Sequence, residues 1–273
     1  ELLKKYSPLF GPREYATQLA ELALRTHMPL YALKKLHKYV KPENSLTVVA
    51  TDLEKTIYAC ALYHLGSVRD AQNILKKIDR EKNPEAHFHL ARSYMHIWDY
   101  SSAVVQLRTY LRQGNFDDYR KLCTRVNLAA ALISISKMDE AELELIDVLT
   151  VCEASQHVLL AGNCYELLGQ IYFFRKQHDK SLEFLKLAEA KLKNQTGWYL
   201  LFVHKWVLLN KMAMGLSQTD LNEKIIQIRL EASKLDQWNT IRDLDYFSAV
   251  FNADVYLKAK VVFGSNKHFI NSR

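Results

Sequence analysis

The sequence predicts an all-α fold, a right-handed α-solenoid of five to six helix pairs closed by a C-terminal capping helical segment. Three observations carry this. Gly (8) and Pro (5) are scarce among 273 residues, while Leu, Ala, Lys and Glu, which favour helix, dominate. Hydrophobic residues make up 49% of the chain, enough for a sizeable core. Above all, one pattern of small and large residues recurs along the chain, and self-similarity at a period of 30–40 residues marks stacked repeats.

The pattern is Leu-Ala-x-x-Tyr, followed after nine residues by Ala-x-x-x-Leu. Helices expected over 13–27 and 29–40 hold a first copy (Leu19, Ala20, Ala23; Ala32, Leu36). Pro42-Glu43-Asn44-Ser45 then forms a polar break. The second copy spans 51–65 and 68–79 (Tyr58, Ala59, Leu62; Ala71, Leu75), with Gly66 at the turn and Ser67 with Asp70 resembling a capping box. The third spans 84–97 and 100–112 (Leu90, Ala91, Tyr94; Ala103, Leu107). Asn83-Pro84 reads there as an N-cap followed by Pro at the first helical position, and "WDYSS" as the turn at which Trp98 packs.

The fourth copy spans 117–136 and 138–153 (Leu128, Ala129, Leu132; Ala141, Leu145), with Ser136 and Asp139 as a second capping box and Lys137 at the turn. Asp117-Asp118 reads as helix N-terminal charge. The fifth and clearest spans 156–175 and 178–193, with Gln177 at the turn. A faint sixth uses Leu208, Leu209, Met212, Leu221 and Ile225 in 197–214 and 218–235. In each pair the small residue of one helix admits the other. A single pair cannot bury its apolar face, so neighbours stack. Last come 238–250 and 252–262, whose Trp238, Ile241, Leu244 and Phe247 make one apolar face. That face is expected to cover the end of the stack, with Lys258, Lys260 and Lys267 beyond it in water, the alternative being a module that docks a partner. The expected organisation is repeats over 1–196, continuous with a degenerate repeat and cap over 197–273.

"CYELLGQIYFFRKQHDKSLEFLKLAEA" (164–190) resembles a tetratricopeptide repeat, whose pattern is W-x₂-L-G-x₂-Y followed by A-x₃-F. Tyr165, Leu168, Gly169, Tyr172, Ser181 and Leu185 stand at its positions. "HFHLARSYMHIWDYSSAVVQL" (87–107) matches similarly, and five copies cover roughly 13–193. Spacings between successive second-helix small residues run from 32 (Ala71 to Ala103) to 40 (Ala141 to Ser181), mostly longer than the family's period.

The net charge is +7. Residues 1–41 carry +5 and residues 255–273 carry +4, leaving the middle at −2. No basic stripe runs the length of the chain, which speaks against a nucleic-acid groove. Cys60, Cys123, Cys152 and Cys164 form no C-x-x-C; all but Cys123 fall in helical apolar contexts, and they read as buried, reduced thiols of a cytoplasmic protein. No apolar run approaches 18 residues, so no membrane span is expected. The chain begins at Glu1 rather than Met, as a trimmed chain would.

His87 and His89 lie two apart and so point to different faces of their helix, and no H-E-x-x-H occurs. No metal site, cofactor or catalytic residue is expected. There is no Gly-rich phosphate loop, no G-x-S-x-G and no nucleophile–base constellation recognisable from spacing.

The family resemblance implies a concave groove lined by the first helix of each pair. Carried over by position, its lining is Phe88, Arg92 and Met95, then Asn127 with Ala130, then Glu166, Gln170 and Phe173, then Trp206 and Asn210. Such a surface suits an extended peptide or a partner helix. One family branch clamps a peptide's C-terminal carboxylate with Lys, Arg and Asn. Here Thr56 and Cys60 stand where that clamp needs Lys and Asn. The expectation is therefore a non-catalytic scaffold or adaptor with a protein or peptide partner and no membrane. The alternatives are the sensor of a peptide-responsive transcriptional regulator, whose DNA-binding part lies outside this chain, and a nucleic-acid-binding helical repeat.

Overall fold

The computed structural model describes residues 10–26, 28–41, 49–113, 117–195, 197–215, 218–235 and 237–252. Among these there are thirteen helices and no strand: α1 (Pro12–Arg25), α2 (Pro29–Val40), α3 (Asp52–His64), α4 (Val68–Leu75), α5 (Glu85–His96), α6 (Tyr100–Gln113), α7 (Asp118–Ser134), α8 (Met138–Ala154), α9 (Val158–Phe174), α10 (His178–Leu192), α11 (Gly197–Ala213), α12 (Gln218–Lys234) and α13 (Trp238–Asn252). The helix expected over 252–262 lies outside the described residues, as do Lys258, Lys260 and Lys267. The helix expected to reach 79 ends at Leu75.

Two compact units divide the chain, residues 1–115 and 116–273. Within each, every helix packs on the next, and the first helix of each pair also packs on the first helix of the neighbouring pair. This is the tetratricopeptide-like arrangement, in which each pair buries its apolar face on its neighbours.

The repeat positions explain the packing. Ala20, Ala32, Ala59, Ala71, Ala91, Ala103, Ala129, Ala141 and Ser181 are all 0% exposed, as are Leu36, Leu75, Leu107, Leu145 and Leu185. α9 and α10 approach closely: a side chain on Gly162 would stand 2.5 Å from Leu192 Cγ, and one on Gly169 2.7 Å from Leu185 Cγ. Ser181 Oγ donates to the Gly169 carbonyl at 2.7 Å, so the same two helices are also hydrogen-bonded across their crossing.

The turns inside the pairs share one geometry. Gly66, Trp98, Ser136 and Lys176 all have positive φ, between 61° and 85°. The next N–H in each case reaches back to the repeat's large residue: Ser67 to the Leu62 carbonyl (2.9 Å), Asp99 to Tyr94 (3.0 Å), Lys137 to Leu132 (2.9 Å) and Gln177 to Tyr172 (2.9 Å). This is the Schellman closure of a helix C-terminus. Lys137 and Gln177 therefore sit one residue after the left-handed position, not at it. The expected capping boxes also differ. Ser67 Oγ donates to Asp70 and caps no N–H, while Ser136 is the left-handed residue itself and Asp139 pairs with Arg175 at 2.5 Å. Asn83 caps nothing through its side chain, and Pro84 is the residue preceding α5. A complete capping box forms at α3, where Thr51 and Glu54 each satisfy the other's backbone N–H.

The C-terminal helix packs on its predecessors. α13 lies against α11 and α12, Leu244 is buried, and Phe247 joins the core of the second unit. The Trp238 side chain is outside the described residues.

Candidate binding surface

In the first unit the first helices are α1, α3 and α5. Arg13 on α1 holds Glu54 on α3 with two 2.6 Å contacts, one to each carboxylate oxygen. The Arg13 hydrogen bonds hold the Glu54 carboxyl below the ordinary carboxylate range despite its burial. This pair fixes the register of the two helices.

At the opposite end of α3, Tyr63 and His64 meet Arg92 and His96 of α5, with Met95 preceding His96 in the chain. The Tyr63 ring lies 4.7 Å from His64 and 5.1 Å from His96, and the two imidazoles meet edge-on at 5.5 Å. The Arg92 guanidinium stands 5.8 Å over the Tyr63 ring. His64 and His96 are exposed, and Arg92 and Met95 are half-buried. Phe88 is not part of this surface. It is buried, with its ring 5.7 Å from that of Tyr110 on α6.

The second unit treats its candidates differently. Asn127 is half-buried and donates to the Cys123 carbonyl of its own helix at 2.7 Å. Glu166 is buried, and desolvation pushes its carboxyl up to about 7. The half-buried Gln170 donates to it at 2.7 Å. Phe173 and Trp206 are buried and meet at 5.1 Å, with Phe247 of α13 against both at 5.6 and 6.3 Å. Asn210 is fully buried. Its amide nitrogen donates to Ser181 Oγ at 2.9 Å and its oxygen lies 3.0 Å from His178 Nδ1, so it serves the α10–α11 junction. Lys205, also buried, forms a 2.8 Å ion pair with Asp243 on α13. Burial alone would raise the Asp243 carboxyl, but Lys205 and Arg242 outweigh it and hold it low.

Of the nine residues expected to line a groove, Phe88, Glu166, Phe173, Trp206 and Asn210 are therefore interior. Arg92, Met95, Asn127 and Gln170 remain partly accessible. Position within a repeat does not report that a helix such as α13 covers the neighbouring surface. Conversely, His64, His96 and the exposed Phe174, which is 5.5 Å from both Phe173 and Trp206, were not expected. His96 and Phe174 stand one residue after the expected Met95 and Phe173, and that adjacency is the signal that locates them.

Among the described residues no group of three or more His, Cys, Asp or Glu is placed to hold a metal ion. His87 turns to Gln106 on α6, while His89 turns to Cys60 on α3. No described helix is long and apolar enough to cross a membrane.

No family model and no curated protein matches this chain. Solved structures do. A Rap protein complexed with competence and sporulation factor aligns with a TM-score of 0.67 at 11% identity, over 95% of this chain and 77% of its own. The Rap conjugation gene regulator of plasmid pLS20, in complex with the Phr* peptide, aligns at 0.60 and 12% identity, over 93% and 78%. TPR-like repeats of a kinesin light chain from Podosopora anserina align at 0.52 and 19% identity, over 66% and 95%. At these identities the likeness concerns the fold, and that fold is the tetratricopeptide-like helical repeat.

Proposed function

We propose that this chain is a non-catalytic protein-interaction scaffold that binds an extended peptide or a partner helix along the face of its first helices. The observation that carries the reading is the α3–α5 surface. There Arg92, Met95, His64 and His96 stand together and accessible, although the repeat pattern buries residues 57–63 on α3 and residues 86–88, Leu90, Ala91 and Ser93 on α5. Arg and aromatic anchors supply most of the energy at such surfaces, about 2 kcal/mol or more each. Two proteins of this fold were solved with a peptide or a signalling factor bound, which supports the same use here.

The test is selection of peptides from a random display library, followed by titration calorimetry with Arg92→Ala/Met95→Ala. The double variant is expected to bind at least tenfold more weakly, about 1.4 kcal/mol, with an unchanged helical melt. Undiminished affinity would place the site elsewhere. A second reading, the sensor of a peptide-responsive transcriptional regulator, is favoured by the likeness to a conjugation gene regulator. It predicts that peptide binding changes the activity of a DNA-binding module joined to this chain.

A further inference from the structure

The first unit brings together a thiol, an imidazole and a carboxylate that the proposed function does not use. Cys60 on α3 and His89 on α5 are 29 residues apart in sequence, yet Cys60 Sγ lies 2.9 Å from His89 Nδ1. On the far side of the ring, His89 Nε2 lies 3.9 Å from Glu85 Oε2, one helical turn back. The other carboxylate oxygen of Glu85 accepts a hydrogen bond from the Tyr110 hydroxyl on α6. The order is therefore nucleophile, base, carboxylate and a group that anchors the carboxylate, drawn from three helices. An imidazole in contact with a thiol takes its proton, a carboxylate behind the imidazole stabilises the cation, and the thiolate is the reactive form of cysteine.

The other three cysteines provide an internal contrast. Cys152 and Cys164 are 1% and 0% exposed, close to the 3% of Cys60. Burial pushes the Cys152 thiol up to about 11 and raises those of Cys164 and Cys123. Cys60, equally recessed, has the histidine. Its surroundings open toward water through His89, whose side chain is 17% exposed, and Glu85, at 37%.

We propose that Cys60 is an activated thiol, a modification site for small soft electrophiles and peroxides. With a peroxide, the Cys60 thiolate attacks one oxygen of the O–O bond. The S–O bond forms as the O–O bond breaks. The departing hydroxide takes the proton held by the His89 imidazolium and leaves as water. Sulfur is oxidised by two electrons to the sulfenic acid and the peroxide is reduced. Cys60 lies inside a helix whose backbone N–H groups are already bonded, so that backbone supplies no oxyanion hole. The site is accordingly a reactive thiol. The proposal does not depend on the binding surface described above.

Iodoacetamide in limiting amount, applied to the folded full chain and read by site-resolved mass spectrometry across pH 5–10, tests it. The ionisable groups linked to the thiol by contact are His89, Glu85 behind it and Tyr110 behind that, with Tyr63 and His64 three and four residues further along α3 and Arg92 three residues beyond His89 on α5. Cys60 is expected to label at least tenfold faster than Cys152 and Cys164 at pH 7. Its pH–rate midpoint is expected to lie at least one unit below that of His89→Ala. The midpoint is insensitive to any change in access that the smaller side chain brings. Equal labelling of Cys60, Cys152 and Cys164 in the unmutated chain would overturn the proposal without any variant. So would an unchanged midpoint in His89→Ala, or in His89→Gln if the alanine variant does not fold. A dimedone adduct at Cys60 after hydrogen peroxide is expected, and its absence while Cys123 is trapped would overturn the peroxide arm.

Discussion

Gly169→Ala isolates the close approach that defines the best-formed helix pair. The new methyl would stand 2.7 Å from Leu185 Cγ, 2.8 Å from its Cδ2 and 3.4 Å from the Ser181 carbonyl oxygen. Two effects oppose each other. Alanine is the better helix former by about 1 kcal/mol. Overpacking a well-filled contact costs about 1–3 kcal/mol. The upper part of that range applies here, because Leu185 has no exposed surface into which to turn and the Ser181–Gly169 hydrogen bond holds the two helices at this distance. The net expectation is a loss of about 1–2 kcal/mol. Urea unfolding followed by circular dichroism should show the midpoint falling with the slope retained. Leu185→Ala, costly alone, removes the clash, so the double variant should lose less than the summed losses by about 1 kcal/mol. A midpoint in Gly169→Ala equal to or above that of the unmutated chain would refute the packing argument.

Glu54, held below the usual carboxylate range by Arg13, contributes stability that is present above its unfolded value and lost as the pH falls through its folded one. Glu54→Gln should lower stability by about 1–3 kcal/mol at pH 7 and flatten the acid limb of the stability–pH curve. Glu166 has the opposite sign. Its folded carboxyl keeps a proton up to about 7 while the unfolded one releases it near 4.5, so stability declines as the pH rises between these values. Glu166→Gln should remove that decline and be the more stable protein at pH 8, as thermal melts at pH 5 and 8 would show. Lys176 is exposed at a φ of 61°, so Lys176→Gly should stabilise by about 0.5–1 kcal/mol in the same urea assay.

The helical pairs were legible because their determinants are local. A small residue every 32–40 positions and a large one four residues later need no knowledge of the rest of the chain, and those residues are among the ones with no exposure. Two of the left-handed turn residues were missed by one position, since Ser136 and Lys176 carry none of the glycine signal that marks Gly66. The lining was only half legible. Whether Trp206 and Phe173 face a partner or the core depends on Phe247, far along the chain on α13, and the fate of Asn210 depends on Ser181 and His178. The Cys60–His89 and Arg13–Glu54 pairs, 29 and 41 residues apart, follow from which helices lie side by side, which spacing within a helix does not encode.

Photo-crosslinking from two single positions tests the central proposal most directly. A photoreactive phenylalanine analogue replaces Met95, on the first-helix face, or Leu143, which is 69% exposed on α8, a second helix. Each protein is irradiated with the tightest display-selected peptide. Binding along the first helices predicts covalent capture of the peptide from position 95 and none from 143. Capture from 143 with none from 95 would contradict it.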